Sequence, residues 1–380
     1  MAEVSKLVQA VSECAALIAA CADEGRAARQ VPGEVIEALK TSGYMRALLP
    51  KQWGGLEVSP NEFFQASMKI AEQDMSTAWI AGIIAVHAYQ LAIMDAKAQA
   101  DVYSDDPNTL ISSSYNPVGG KVAPATGGLM LSGRWGWSSG SAHCDWVLLG
   151  AIVPGEGYRT FLVPRADYCI EDTWFVYGLQ ATGSNDIVIE NPVFVPHHRT
   201  HKQMDGFNCK HSQTNTLYSI PWAQMFIRVV STPAIGAAKH AVQAFVGNSE
   251  NSSTDPTKLR ADADITRRVA ETLNDIDEVE TIMCRNFDRM LAQVRAGDEI
   301  PLIDRVRYRY QASKVIDRMA AAVDRLFEVA GGRSVFDGAA IQNIWRDIHI
   351  ARAHVANNPT SFARNFGGMA LGGENGDVFV

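Results

Sequence analysis

Several signatures are missing from this 380-residue chain, and each absence removes a class of function. No P-loop and no G-x-S-x-G elbow occurs, which argues against phosphate-loop and α/β-hydrolase chemistry. The glycines of GGMALGGENG neither follow a strand nor open a helix. No room for a dinucleotide βαβ unit follows them before Val380, so a redox enzyme of this sequence has no evident nicotinamide site. The six cysteines are scattered without a C-x-x-C pair, which gives no zinc signature and fits free thiols in a reducing cytoplasm. His349 and His354 would lie about 140° apart around a helix, too far for one ion. His197-His198 lack a nearby carboxylate cluster, so no metal is expected. No uninterrupted apolar run reaches the roughly 18 residues of a membrane span. A basic surplus is also lacking: the formal net charge is -8, which argues against nucleic acid.

What remains is ordinary soluble protein, 47% hydrophobic and 20% charged, long enough for two or three subdomains. The first thirty residues carry Glu3, Glu13, Asp23 and Glu24 among apolar residues at helical spacing. They read as an amphipathic helix of the mature protein, not a signal peptide. Pro32 ends it and opens a second helix that Gly43 can close. The segment from Asn61 to Met94 predicts two helices meeting near Asp74-Met75-Ser76, with Ser76 as a candidate cap. Trp79 and His87 lie on the second of these, about 12 Å apart along its axis, and both can line one wide pocket. From Leu110 to about Arg199 short β-rich runs alternate with Gly, Pro, Asn and Asp, the pattern of an antiparallel β domain. Helices resume at Ala223 and run to about residue 357, with breaks near 248–256, 297–301 and 331–338. The expected organisation is therefore α+β: a helical domain over 1–109, a β domain over 110–205 and a helical bundle over 206–380.

The chemistry concentrates in SGRWGWSSGSAHCDW, from Ser132 to Trp146. It reads as strand, Ser-Ser-Gly turn and strand. In an extended chain Trp135, Trp137 and Ser139 share one side. Indoles beside hydroxyls and turn N–H groups suit a flat ligand with polar edges, such as a flavin. Ser112, Ser113 and Ser114 follow another strand and can add hydroxyls to a ring or a phosphate chain. The bland alternative is a hairpin with core tryptophans and turn serines.

The order helical, β, helical, with WSSG in the β domain, resembles the acyl-CoA dehydrogenase fold. Within that fold WGGLEVSP, STAWIAGIIAVH, ISSSYNP, WGWSSGSAHCDW, GLQATGSND, IPWAQM, IDRMAAAVDRLFEVAGG and WRDIHIARAHVANNP are similar to the oxygenase components of two-component flavin-dependent aromatic monooxygenases. They fall in the family's order along nearly the whole chain. The resemblance implies reduced FMN or FAD supplied by a separate NAD(P)H:flavin reductase. Dioxygen would add at flavin C4a, and the hydroperoxide would pass its terminal oxygen to an electron-rich aromatic, phenolic or polycyclic, ring. It implies a flavin site of Trp79, Ser112, Ser113, Ser114, Trp137, Ser138 and Ser139, joined by Gly332, Arg333, His354 and Val355 from the C-terminal helices. His87 and His354 would flank the substrate hydroxyl, and Ser139 would meet flavin N5. His354 is expected in the last turn of a helix, as a base for the phenolic proton. Lys258, Arg260 and Arg267 are alternatives for a basic residue reaching a neighbouring subunit's flavin phosphate in a homotetramer. The residues 200–220 match the family poorly. An N- or S-oxygenase of the same fold and an acyl-CoA dehydrogenase are the rival readings. The second needs a carboxylate base that HVANNPTSFARNFGG does not offer.

Overall fold

Apolar periodicity produces the expected N-terminal helices, with one break. In the computed structural model, which describes residues 5–202, 215–250 and 261–380, the first helix is divided at Cys14 into α1 (Lys6–Glu13) and α2 (Ala15–Ala28). Helix α3 (Gly33–Thr41) stops just before Gly43, whose φ of 85° is a conformation that glycine adopts without strain. Ser59 caps α4 (Pro60–Ala71). At the next junction the cap is Asp74 and not Ser76: Asp74 Oδ2 accepts from Thr77 N at 2.7 Å and from Thr77 Oγ1 at 2.8 Å. The carboxylate lies one position before the first helical residue, where four N–H groups lack partners. Ser76 is already inside the helix.

Helix α5 (Met75–Ala92) is the axis of the molecule. All eighteen of its residues are buried. Being apolar on every face, it must be wrapped on every side. Among the described residues it is the one helix long and apolar enough to cross a membrane, and the whole of it lies in the core. Helix α6 (Ala96–Tyr103) follows.

Two four-stranded sheets then pack face to face. One has the order β1 (Ile111–Ser114), β4 (Trp146–Val153), β5 (Gly157–Pro164), β8 (Thr200–His201). The other has β2 (Gly120–Ala125), β3 (Gly128–Ser138), β7 (Asn185–Pro196), β6 (Cys169–Glu171). Among the described residues every pairing is antiparallel except β1 with β4, which is parallel, so the domain is not purely antiparallel. Ser112 to Ser114 lie within β1 and not after a strand. Leu131, Trp135, Leu149, Phe161 and Ile187 fill the space between the sheets.

The C-terminal helices are α7 (Trp222–Val229), α8 (Pro233–Glu250), α9 (Ala263–Ala296), α10 (Leu302–Phe327), α11 (Ala340–Ala351) and α12 (Pro359–Ala370). Helix α12 lies beyond the expected end at about residue 357. Pro359 closes what precedes it, but at a first helical position its missing N–H costs nothing, and Asn358 caps the new helix. The break at 248–256 falls largely outside the described residues, as do Lys258 and Arg260. Arg267 sits on the exposed face of α9, paired with Asp264 at 2.6 Å and with Glu271 at 2.6 Å.

Candidate active site

Helix α5 carries the site because it touches both flanking domains. Near its first turns the buried Trp79 Nε1 donates to Ser139 Oγ at 3.2 Å. Ser139 lies just past the end of β3, where Gly140 N bonds Thr182 O at 2.8 Å and holds the strand end against the 178–184 loop. Ser139 Oγ also lies 2.8 Å from Ser184 Oγ, which lies 2.7 Å from Thr182 Oγ1. Four polar side chains from α5, the end of β3 and the loop thus join in one buried line.

The two tryptophans of the hairpin do not share a side. Trp135 is buried between the sheets, its Nε1 donating to Gly150 O at 2.8 Å. Trp137 is 65% exposed. The register of β3 against β7 shifts between Trp135 and Ser138, and Trp137 takes a φ of 66° there. A β-bulge breaks the two-residue alternation and re-aims the side chain. A tryptophan in that region of φ is strained by about 1 kcal/mol or more and persists only where its surroundings hold it. Beside it Ser138 Oγ is buried with no partner among the described residues. An exposed indole next to an unpartnered hydroxyl fits the edge and face of a flavin ring.

Further along α5, His87 is fully buried among the rings of Tyr115, Trp222 and Phe226, with centroids 6.0, 6.3 and 6.5 Å away. Its Nδ1 lies 3.3 Å from the Tyr115 hydroxyl. That hydroxyl donates its own proton to Gln90 Oε1. Tyr115 therefore accepts from His87, which places the imidazole proton on Nδ1. Among the described residues His87 Nε2 is a bare lone pair without a partner, and Trp222 Nε1 is a buried donor in the same state. Desolvation pushes the His87 pKa down to about 3, so the ring is neutral.

His354 is not in the last turn of a helix. Helix α11 ends at Ala351, and His354 caps the short 3-10 turn Val355–Asn357, its Nδ1 accepting from Ala356 N at 3.1 Å. A helix C-terminus would favour the cation; a cap whose lone pair receives an N–H favours the neutral ring. Burial, with the Arg309 charge nearby, lowers its pKa to about 4. With Nδ1 occupied, Nε2 carries the proton and His354 is a donor there. Its ring meets Trp79 edge-on, with centroids 5.7 Å apart. The structure thus brings Trp79, Ser139 and His354 together, with Val355 beside them and 78% exposed. Ser114 Oγ donates to Gly136 O at 2.6 Å, tying β1 to the bulge; Ser112 and Ser113 are buried in the same strand. Gly332 and Arg333 sit on the exposed turn Gly332–Val335, which leads into α11.

Four participants were not expected as site residues, although Tyr115 and Asp347 lie inside two of the matching motifs: Tyr115, Gln90, Phe226 and Asp347. Tyr115, just after β1, and Phe226 on α7 pack on His87, and Gln90 on α5 accepts from Tyr115. Asp347 on α11 is buried, and its Oδ1 accepts from Leu179 N at 2.6 Å, fastening the 178–184 loop to the C-terminal helices. A Cβ on Gly178 would stand 2.5 Å from Arg346 O, so only glycine allows so close a docking. Desolvation and then the charge of Asp74 push the Asp347 pKa up to about 7. A carboxyl with a raised pKa favours folding most below about 4, and this is lost as pH rises through 7. Asparagine would keep the acceptor but add a buried N–H donor that needs a partner. Asp347→Asn is therefore expected to lower the melting temperature at pH 5 and raise it at pH 8, by roughly 1–2 kcal/mol in stability each way. Thermal melts of both proteins at the two pH values check the change of sign; equal offsets at both would refute it.

The helical, β, helical order defines an acyl-CoA dehydrogenase-type protein. Sequence profiles of the acyl-CoA dehydrogenase N-terminal domain match residues 2–102, and those of the C-terminal domain match 228–359. The chain is 38% identical over 363 residues to the flavin-dependent monooxygenase oxygenase subunit HsaA of Mycobacterium tuberculosis, covering 93% of this chain and 92% of that one. It is 31% identical to the FADH2-dependent resorcinol hydroxylase oxygenase component of a Rhizobium species, covering 97% and 94%. The crystal structure of 3-HSA hydroxylase from Rhodococcus sp. RHA1 superposes with a TM-score of 0.94 at 34% identity over 99% of each chain. The chain belongs to the oxygenase components of the flavin-dependent monooxygenases, which work with reduced flavin and a separate reductase.

Proposed function

We propose that this monooxygenase hydroxylates a phenolic ring, or a polycyclic or indolic ring of like polarity. The observation that carries the reading is His87 Nε2, which has no partner among the described residues and is enclosed by three aromatic rings. Aromatic walls hold a planar substrate by edge and face contacts. A phenol O–H donates to the bare nitrogen and satisfies it, and a neutral hydrocarbon leaves it unpaired at a cost of about 1–3 kcal/mol. As that proton moves to Nε2 the ring gains electron density and becomes the stronger nucleophile. The phenolate then holds the imidazolium by charge, which offsets the burial that depresses its basicity. Tyr115 keeps the ring oriented through Nδ1, and Gln90 fixes Tyr115. His354 presents Nε2–H as a donor from the other end of α5.

Reduced FMN or FAD, when bound, activates dioxygen so that one oxygen atom reaches the substrate. The residues that would hold it are Trp79, Trp137, Ser138, Ser139 and Ser112 to Ser114, with His354, Val355, Gly332 and Arg333 from the C-terminal side. Arg267 is engaged in ion pairs on its own helix and would have to leave them to meet a flavin phosphate. The proposal includes a homotetramer built through the C-terminal helices, a cytoplasmic location and no nucleic-acid or membrane partner.

The purified protein is expected not to oxidise NADH at a useful rate by itself. Adding a flavin reductase, or chemically reduced FMN under air, should start hydroxylation. Product mass should be read on a panel of phenols, indoles, sulfides and amines. Sustained NADH-driven turnover without a reductase would refute the dependence on delivered flavin. Oxygenation mainly at sulfur or nitrogen would refute the phenolic reading.

A further inference from the structure

We propose that Thr182 and Ser184 fix the direction of the Ser139 hydroxyl, so that Ser139 accepts a hydrogen bond from flavin N5–H and the site prefers reduced over oxidised flavin. This rests on the reading that Ser139 meets N5. The two serve as positioning residues, since neither needs to touch the flavin.

The polarity of the line follows from counting protons. Each hydroxyl has one proton to give and two lone pairs. Thr182 Oγ1 stands 2.8 Å from Leu179 O. A carbonyl has no proton, so at that distance Thr182 must donate. Its proton is then used, and in the 2.7 Å contact with Ser184 the donor must be Ser184. The same step repeats at 2.8 Å: Ser184 has nothing left to give, and Ser139 donates to it. At the other end Trp79 Nε1 can only donate, and it donates to Ser139. Ser139 thus sends its proton inward, receives the indole N–H and retains one lone pair.

Both ends of the line are held. Leu179 is fastened by its N–H to Asp347, and its carbonyl also receives Trp174 Nε1 at 3.0 Å. All the members are buried, so bulk water competes little for these bonds. Reduced flavin carries a proton on N5; oxidised flavin presents a lone pair there. Against the remaining lone pair of Ser139 the first is a hydrogen bond and the second is a repulsion. An oxygenase fed by diffusing reduced flavin gains from such a preference, because it must take that form and release the other.

The test is the dissociation constant of reduced FMN against that of oxidised FMN, titrated anaerobically on the full chain. Ser184→Ala frees the Ser139 proton to swing toward N5, and the preference for the reduced form should fall about tenfold. Thr182→Val, close in shape but without the hydroxyl, should move it the same way. Ser184→Thr keeps a hydroxyl and should restore the wild-type ratio. An unchanged ratio in Ser184→Ala and Thr182→Val, or equal weakening of both flavin forms, overturns the proposal. If Ser139→Ala still lowers the ratio in that case, the Ser139 contact stands and only its orientation by the line fails. If Ser139→Ala changes neither constant, the contact itself is refuted and the proposal with it. Should Ser184→Ala not fold, Thr182→Val decides by the same ratio.

Discussion

His87→Asn is expected to hydroxylate a phenolic substrate about a hundredfold more slowly in single turnovers, the lower end of what a positioned base contributes. The argument is one of proton inventory: Nδ1–H is spent on Tyr115, and Nε2 is an acceptor with nothing to accept. Asparagine retains an oxygen for the substrate hydroxyl but cannot take its proton. The deficit should therefore shrink for phenols that ionise more readily. His354→Asn should cost only about tenfold, the upper range for one neutral hydrogen bond. It should do so evenly across substrates, because His354 is a donor at Nε2. Rapid-quench measurements on nitro- and alkyl-substituted phenols distinguish the two. A substrate-independent loss in His87→Asn, with a substrate-dependent one in His354→Asn, would reverse the assignment.

Acid should destabilise this fold well above the pH at which most proteins fail. His87 is held at about 3 and His354 at about 4, against 6.5 for an exposed histidine. Between pH 6.5 and 4 each takes up a proton on unfolding that the native state refuses, so stability is lost as pH falls. The loss is about 3 kcal/mol for each ring over that interval. Asp347 runs the other way and offsets part of it, leaving a net loss of roughly 3 kcal/mol from the three groups. Urea midpoints at pH 7, 5.5 and 4.5 read the slope directly. The double variant His87→Gln, His354→Asn should flatten it, and Asp347→Asn should steepen it. A midpoint independent of pH down to 4.5 would show that these rings are not buried neutral in the folded chain.

How much of this could be read from residues alone depends on the length scale involved. Element order was legible, because α5 and the β runs differ in period over a dozen residues or more. Single-residue geometry was not. Alternation put Trp135 and Trp137 on one side, and one bulge separates them. The spacing before Pro359 put His354 inside a helix, but α11 ends three residues earlier. Asp74 and Ser76 both suit a cap, and only the chain's direction at the junction chooses. Trp79 and Ser139, sixty positions apart, are joined because α5 threads between two domains. The loop GLQATGSND stood out in the sequence, yet the line from Thr182 through Ser184 exists only once Gly140 is docked on Thr182. The roles of Tyr115 and Gln90 were not legible even though Tyr115 lies in ISSSYNP, since a tyrosine after a strand and a glutamine in an apolar helix are usually packing residues.

The conformation at Trp137 bears on how this enzyme would respond to selection. An indole held at a φ of 66° on an open bulge opposes folding, and under the proposed function it is kept for the flavin. Glycine at that place would relieve the backbone and remove the ring. Laboratory evolution that rewards heat resistance alone would drift toward the small residue and, with Trp137 in the flavin site proposed above, weaken flavin binding without any visible change in the fold. A screen run with flavin present would retain the tryptophan and look for its gains elsewhere.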